Sequence, residues 1–373
     1  MDKKTVLAII SPVFPPYRSG MGTVVRENAR MGTQGGMEVH VFTPHYPNTR
    51  TVPIQEEQDG YTVHRLRPLF SYGNAAVLLQ LFWRLRVVDT IHLHYPALGM
   101  ELPVLFWSFF KKKLVTTYHM DLTGKGIVMR GFFRLYSAFF LPFVLARSSR
   151  VFVTSYDYAK GSPLIGSRVA RYPERFIELP CSVDMSHFHP QMSDRMTQTI
   201  LFVGALDSAH YSKGVSVLLA ALAHVTDAKL VIIGDGDLRL SYEQRARELG
   251  IYDRVVFTGS IPHDALVRWY AGSLCLVLPS TDATEAFGVV IIEAASCGVS
   301  VIASNLRGVR SVVEEGVTGF LVSPGDAAEL AEKIQYLISH PDRAKEMGGA
   351  ARKRVGERYS YDNVAETYRS TLR

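Results

Sequence analysis

Two glutamates, Glu285 and Glu293, stand in the stretch STDATEAFGVVIIEAASCG (280–298) with seven uncharged residues between them. An ionised carboxylate in such apolar surroundings costs several kcal/mol unless something hydrogen-bonds to it. The strand-like run CLVLPS (275–280) ends just upstream, which places Glu285 in a loop. From Gly288 the sequence reads as a helix that stops at the Gly298 turn, so Glu293 falls inside it. With every intervening residue helical, the two carboxylates stand about 12 Å apart along the axis at 1.5 Å per residue. That separation excludes one shared metal ion. It suits an extended ligand with hydroxyl donors at two places, a nucleoside at one end and a hexose at the other, with the backbone N–H groups of Phe287 and Gly288 adding contacts. A capping glutamate plus a structural salt bridge fits the same spacing.

A second loop with chemical content lies in FVGALDSAHYSKGVSVLLAALAHV (202–225). A strand over 200–204 ends at Gly204, and Lys213-Gly214 opens a helix with Val217, Leu218 and Leu222 inward. A lysine at a helix N-terminus works against the macrodipole, and a bound diphosphate would reverse the sign of that cost. His210 in the same loop either touches that ligand or faces solvent. In SPVFPPYRSGMGTVVREN (11–28), Gly20 and Gly22 sit directly ahead of a helical run beginning near Thr23, a start that can present backbone to a phosphate or sugar. Glycine at such a turn is also ordinary structure, and a full G-x-G-x-x-G is absent.

Short apolar runs alternating with amphipathic segments position these loops. Strands are predicted at 5–10, 38–44, 90–95, 113–119, 150–155 and 176–180, then, after a polar stretch, at 199–205, 229–236, 254–260, 275–280, 300–304 and 319–324. This order predicts two doubly wound α/β domains in tandem, whose ligands sit at the carboxyl ends of the strands. The boundary falls near 188–197, giving domains 1–190 and 191–355 and a tail, 356–373. In the tail a helix over 361–372 carries Val364, Tyr368 and Leu372 on one face and is expected to pack back on the first domain. No repeats or low-complexity tracts interrupt the pattern.

With 47% hydrophobic and 20% charged residues the chain is globular, not disordered. Cys181, Cys275 and Cys297 lack CxxC spacing, which excludes a disulfide framework or zinc ribbon and favours a reducing compartment. MDKKTVLAIISPVFPP reads as a first strand, not a signal peptide. The longest apolar run, LYSAFFLPFVLA (135–146), is flanked by Arg134 and Arg147 and falls short of the ~18 residues a span needs, so no membrane-crossing helix is expected. Residues 1–150 hold 18 Lys and Arg against 9 Asp and Glu, while the remainder holds 23 against 26. The segments 78–86, 102–113 and 126–147 set this basic excess among Phe, Trp and Leu, and Arg130, Arg134 and Ser137 form a narrow polar stripe at helical spacing. Core helices with snorkelling basic residues and a face resting on an anionic membrane both fit. No nucleic-acid-binding motif accompanies the charge.

TEAFGVVIIE, followed by AASCGVSVIAS and EEGVTGFLVSPGD, resembles the E-x7-E motif of retaining GT-B glycosyltransferases of family 4, and FVGALDSAHYSKG resembles that family's donor-phosphate loop. The resemblance covers essentially the whole chain. It implies a GT-B fold: two Rossmann-like domains facing across a cleft, an acceptor-binding one first, a nucleotide-sugar donor-binding one second, and a C-terminal helix crossing back. It further implies that Glu285 meets the transferred sugar's hydroxyls, Glu293 the ribose, and Lys213 the diphosphate, with Gly204 and His210 in the phosphate loop. TYHMDLTGKG places His119 beside the reacting sugar and Asp121 near the acceptor; Gly20 and Gly22 form the glycine loop, and TGSIPHDAL (258–266) offers backbone to the base. Three departures stand out: Ala205 where many relatives carry Arg, RGVRS (307–311) in place of the usual G-G-x-P-E turn, and PCSVD (180–184) in place of an Asn-Gly version.

The resemblance implies hexose transfer with retention from a nucleoside-diphosphate sugar. No cofactor is expected and no metal, since no Asp-x-Asp lies at a strand end. Retention without an enzymic nucleophile suggests front-face attack with the donor phosphate as base. The basic, aromatic first domain points to a lipid-linked glycan acceptor and a peripheral, cytoplasmic position on an anionic membrane surface. A soluble acceptor, a nucleotide-sugar epimerase of the same architecture, a phosphorylase with a pyridoxal lysine and a silent nucleotide-binding scaffold are the alternatives.

Overall fold

A computed structural model describes residues 4–17, 19–46, 52–110, 112–122, 126–191 and 198–372. The chain forms two compact units, Met1–Pro180 with Val364–Arg373, and Cys181–Asn363. The division thus falls ten residues ahead of 190/191, because the segment after Pro180 packs into the second unit. Val183 donates its N–H to Tyr359 O at 2.9 Å, and the Phe188 ring lies edge-on to Tyr270. Residues 192–197 of the expected boundary lie outside the described residues.

The first unit holds β1 (Val6–Ile10), β2 (Glu38–Pro44), β3 (Gln55–Gln58), β4 (Tyr61–Leu66), β5 (Phe70–Tyr72), β6 (Ala75–Val77), β7 (Thr90–Tyr95), β8 (Lys113–Tyr118), β9 (Ser148–Val153) and β10 (Phe176–Glu178). Eight of these make one sheet, ordered β10-β9-β8-β7-β1-β2-β4-β3, parallel except at the β3–β4 edge. The central strands are buried along their length because helices cover both faces, which is why they read as continuous apolar runs. The β3–β4 hairpin was not anticipated, although its signal is present: Asp59 and Gly60 both take positive φ, the pattern of a tight Asp-Gly turn. The last helix, Tyr361–Leu372, buries Val364, Tyr368 and Leu372, and Tyr368 Oη lies 2.9 Å from Nδ1 of His92. Lys113 donates to the terminal carbonyl of that helix, Leu372 O, at 2.9 Å, a cation at a helix C-terminus.

The second unit is a single parallel sheet of β11 (Thr199–Val203), β12 (Lys229–Ile233), β13 (Val255–Gly259), β14 (Cys275–Leu278), β15 (Ser300–Ser304) and β16 (Gly319–Val322), ordered β13-β12-β11-β14-β15-β16. Its order reverses between β11 and β14, the switch point at which loops can diverge around a ligand. Ile200, Phe202, Leu218, Leu222, Ile232, Val277, Ile302 and Leu330 form the core beneath those loops.

The helix Ile127–Arg147 bears on two expectations. It is 21 residues long and contains an 18-residue stretch with a mean hydropathy of 1.4, long and apolar enough by length and composition alone to cross a bilayer, because the helix extends well past the apolar run 135–146. Its polarity is also inverted. Ser137, expected on a polar stripe with Arg130 and Arg134, is buried beside Tyr95 Oη, while both arginines are exposed. Leu141, Val144 and Leu145 face inward; Phe132, Leu135, Phe139 and Phe143 are each more than half exposed. Of the lysines in 102–113, Lys111 lies outside the described residues, and Lys112 and Lys113 are occupied by the carbonyls of Val88 and Leu372.

Candidate functional site

In the second unit, β11 runs into Gly204, and the chain then makes a short 3-10 turn, Tyr211–Lys213, before the helix Val215–Ala223. Gly214 joins the two with φ +77°, and a Cβ there would stand 1.9 Å from Pro279 O, so no other residue fits. A Cβ on Gly204 would meet Lys213 Cδ at 2.9 Å: the lysine stem lies across the glycine. Lys213 Nζ donates to Glu285 Oε2 at 2.8 Å. The unfavourable placement of a cation ahead of a helix is therefore offset by Glu285. Two further bonds tie these loops, Ser212 Oγ with Thr284 Oγ1 at 2.8 Å and Thr281 N–H to Ser212 O at 2.7 Å. His210 is held by Asp207, with Nδ1 2.7 Å from Oδ1, and stays largely exposed.

Glu293 lies within the helix Val289–Ser296, which starts after Gly288 in a left-handed conformation at φ +83°. A Cβ on Gly288 would approach Ile291 and Leu278 side chains to 2.8 Å, and the neighbouring Phe287 ring is buried edge-on to Tyr359. Glu293 is 5% exposed and both its oxygens are engaged: Tyr270 Oη donates to Oε2 at 2.8 Å, and His263 Nε2 lies 3.1 Å from Oε1. These contacts satisfy the buried carboxylate. Tyr270 is fully buried, and burial together with the carboxylate holds its phenol well above the usual range. Neither partner was singled out from sequence. His263 lies in the flagged segment 258–266, noted only for its backbone; Tyr270 is 23 residues from Glu293 and leaves no local signal.

In the first unit, Gly20 and Gly22 are inside the first turn of the helix Gly20–Gln34 and not ahead of it. Ser19 caps that helix, accepting from Gly22 N–H at 2.9 Å, so the start shifts three residues upstream of Thr23. His119 follows β8 and its Nε2 lies 2.8 Å from Nδ1 of His94, itself fully buried in β7. Burial pushes the His119 imidazole down to about 3 and His94 in the same direction. The neutral pair shares one proton between those nitrogens, and among the described residues Nε2 of His94 is buried without a hydrogen-bond partner. Asp121 accepts from Tyr118 Oη and Ser162 Oγ, while its own N–H donates to Tyr158 Oη at 2.9 Å. Those bonds give Asp121 the role of anchoring the loop after β8, at odds with a carboxylate open to an acceptor.

The structure thus brings Gly204, Lys213, Glu285, Phe287, Gly288 and Glu293 to the loop ends of one sheet, and His119, Asp121, Gly20 and Gly22 to the other unit. The first set can neutralise an anion at Lys213 and accept hydroxyl protons at two carboxylates. The three cysteines are buried free thiols; burial raises Cys181, beside Glu285, to about 12.

Comparisons with known proteins place the chain in a family. Residues 19–171 match the family described as glycosyl transferase 4-like domain, and residues 187–354 match glycosyl transferases group 1. The chain is 29% identical over 357 residues to the D-rhamnosyltransferase WbpZ of Pseudomonas aeruginosa, covering 91% of this chain and 88% of that protein. It is 24% identical to O-antigen chain mannosyltransferase C of Escherichia coli, covering 97% and 96%. Among solved structures, Anabaena HepE in complex with UDP and glucose superposes with a TM-score of 0.79 at 19% identity over 99% of each chain. The chain therefore belongs to the group 1 glycosyl transferases with a 4-like first domain, and its fold is GT-B.

Proposed function

We propose that this glycosyltransferase moves a hexose, with retention, from a nucleoside-diphosphate sugar to a hydroxyl of a lipid-linked glycan at the cytoplasmic face of an anionic membrane. The observation that carries the donor half is the Lys213–Glu285 pair at 2.8 Å beside the Glu293 helix. On arrival of the donor, Lys213 exchanges its carboxylate for the diphosphate, and Glu285 is released to accept from sugar hydroxyls. Glu293 accepts from the ribose. The bond from the anomeric carbon to the phosphate oxygen breaks, its electron pair staying on the phosphate. The acceptor oxygen attacks from the same face, and its proton passes to that phosphate oxygen. Lys213 stabilises the charge that grows there, a task a divalent cation performs elsewhere, so transfer needs no metal. With Ala205 in the loop, neutralisation leans on this one lysine and the adjacent helix start.

The membrane half is supported by the first unit's excess of basic residues and the exposed phenylalanines of Ile127–Arg147. Because Val144 of that helix is part of the core beneath β7 and β8, the helix lies along the interface with its outer face in lipid and does not cross. The test is a screen of UDP- and GDP-hexoses for nucleoside diphosphate release, with and without a polyprenyl-diphosphate-linked glycan and with EDTA throughout. Acceptor-dependent release is expected, with a product that keeps the donor's anomeric configuration. Free sugar without any acceptor requirement would point to an epimerase, and an absolute need for Mg²⁺ or Mn²⁺ would overturn the metal-free step.

A further inference from the structure

Beyond the donor residues, the second unit gathers three groups that its chemistry leaves unused. His187, His263 and Asp264 each offer a ligand atom, and these atoms all lie within 4.8 Å of one another. His187 comes from the segment that follows Pro180, whereas His263 and Asp264 open the short turn His263–Ala265 after β13. The two imidazoles are nearly parallel, 11° apart with centroids 6.1 Å from each other, and Nε2 of His187 stands 3.6 Å from Asp264 Oδ1. That separation is too long for a hydrogen bond. Moreover, the same Nε2 is buried and has no hydrogen-bond partner among the described residues, so a nitrogen lone pair or N–H is shielded from water with no hydrogen bond to satisfy it. Phe188 sets both rings, lying edge-on to His187 at 4.7 Å and to His263 at 5.1 Å.

The geometry points to a binding site for a Zn²⁺-class transition metal on His187, His263 and Asp264, distinct from the residues that carry transfer. Two imidazoles and one carboxylate are the donor set of an open four-coordinate site, with water in the fourth position, and imidazole selects zinc, cobalt or nickel over magnesium. Tetrahedral ligands on arms of 2.0–2.1 Å sit about 3.4 Å apart, so the present spread closes with small side-chain rotations. His263 already leans on a carboxylate, Glu293, which is the kind of outer partner that orients a ligating histidine and raises its basicity. An ion there lies one imidazole from Glu293. On the reading of Glu293 as the ribose acceptor, an occupied site holds His263 against that carboxylate and opposes nucleotide binding. The metal is thus a brake, and its removal leaves transfer intact or raises it.

Calorimetric titration of tag-free protein with Zn²⁺, paired with the visible spectrum of added Co²⁺, tests the site without reference to activity. One ion per chain is expected, with affinity at least tenfold weaker in His187→Gln and several-fold weaker in Asp264→Asn. Uptake that is equal in all three proteins, or absent in the wild type, overturns the site. The brake is read by titrating UDP and GDP with and without saturating Zn²⁺. Weakening by several-fold in the wild type and not in His187→Gln supports it, and identical affinities overturn it. Failure of either nucleotide to bind the metal-free wild type would instead count against the donor-site reading, which keeps the two failures apart.

Discussion

The polar groups at the strand ends of the second unit are matched to one another: Lys213 to Glu285, and Glu293 to Tyr270 and His263. The first unit treats polarity differently. It buries His92, His94 and His119 uncharged and turns the phenylalanines of Ile127–Arg147 outward. Charges held in pairs can be exchanged for those of a ligand at little cost, because each partner is already desolvated and fixed. Neutral buried imidazoles position by tautomer and shape, and exposed aromatic residues recruit apolar surroundings. On the proposed function, the contrast fits recognition of a polyanionic donor by the second unit and of a less polar acceptor by the first.

The largest effect expected from breaking the contrast is at Lys213. On the proposed function, Lys213→Ala removes the cation assigned to the leaving phosphate, and turnover should fall on the order of 10²-fold or more. It also strands Glu285 in a mostly buried setting, so the double variant Lys213→Ala/Glu285→Gln should unfold at a higher temperature than Lys213→Ala alone. Equal stability of the two would show the pair to be loosely held. Next in size, Glu293→Gln should weaken UDP or GDP binding roughly tenfold while leaving membrane binding unchanged, since charge-assisted hydrogen bonds are about twice as strong as neutral ones. Unaltered nucleotide affinity in calorimetry would remove the ribose assignment.

The parallel architecture and the second unit's strand-end loops were legible because both are written locally. All twelve strands of the two alternating series form, with ends displaced by three residues at most, and the Glu285 and Glu293 loop and helix lie where the apolar run and Gly298 put them. What was not legible depends on distant neighbours. Tyr270 reaches Glu293 across 23 positions, and Ser162 occupies Asp121 across 41. The helix Ile127–Arg147 shows the deeper reason. Periodicity identified a stripe on it, but periodicity alone does not say which stripe faces the core; the unit buries Ser137 because Tyr95 Oη waits there. The domain boundary missed for a similar reason, since Val183 and Phe188 are committed by Tyr359 and Tyr270, far along the chain.

A smaller effect should appear at the membrane. Phe132→Ser/Phe139→Ser/Phe143→Ser changes three side chains that are already exposed, so the fold should tolerate it, while flotation with anionic vesicles should drop several-fold. Arg130→Ser/Arg134→Ser should reduce flotation at low salt and make little difference at high salt, where charge is screened. Vesicle binding indifferent to both variants would return the exposed face to ordinary surface. Lys112 and Lys113 make poor probes, because their ammonium groups hold backbone carbonyls.

The smallest effect separates the units by acid. Among the described residues every buried histidine, His64, His92, His94 and His119, belongs to the first unit. Burial holds His92 and His119 down to about 3, from 6.5 when unfolded. The unfolded chain therefore takes up protons as pH drops below 6.5 while the folded unit does not, so this contribution is whole above pH 6.5 and is lost as pH falls toward 3. Glu101 opposes it. Burial raises that carboxyl from 4.5 to about 7, so its contribution is present below pH 4.5 and lost as pH rises through 7. Between pH 6.5 and 4.5 the histidines outnumber the glutamate, and each uncompensated proton costs up to about 1.4 kcal/mol per pH unit. Amide exchange followed peptide by peptide, corrected for intrinsic rates, should show protection falling from pH 7 to pH 5 in the first unit more than in the second. His92→Asn should flatten that dependence even if it lowers overall stability. A pH response equal in the two units would mean that the buried imidazoles are solvated well enough to charge in place, and the division between paired charges and neutral histidines would lose its energetic content.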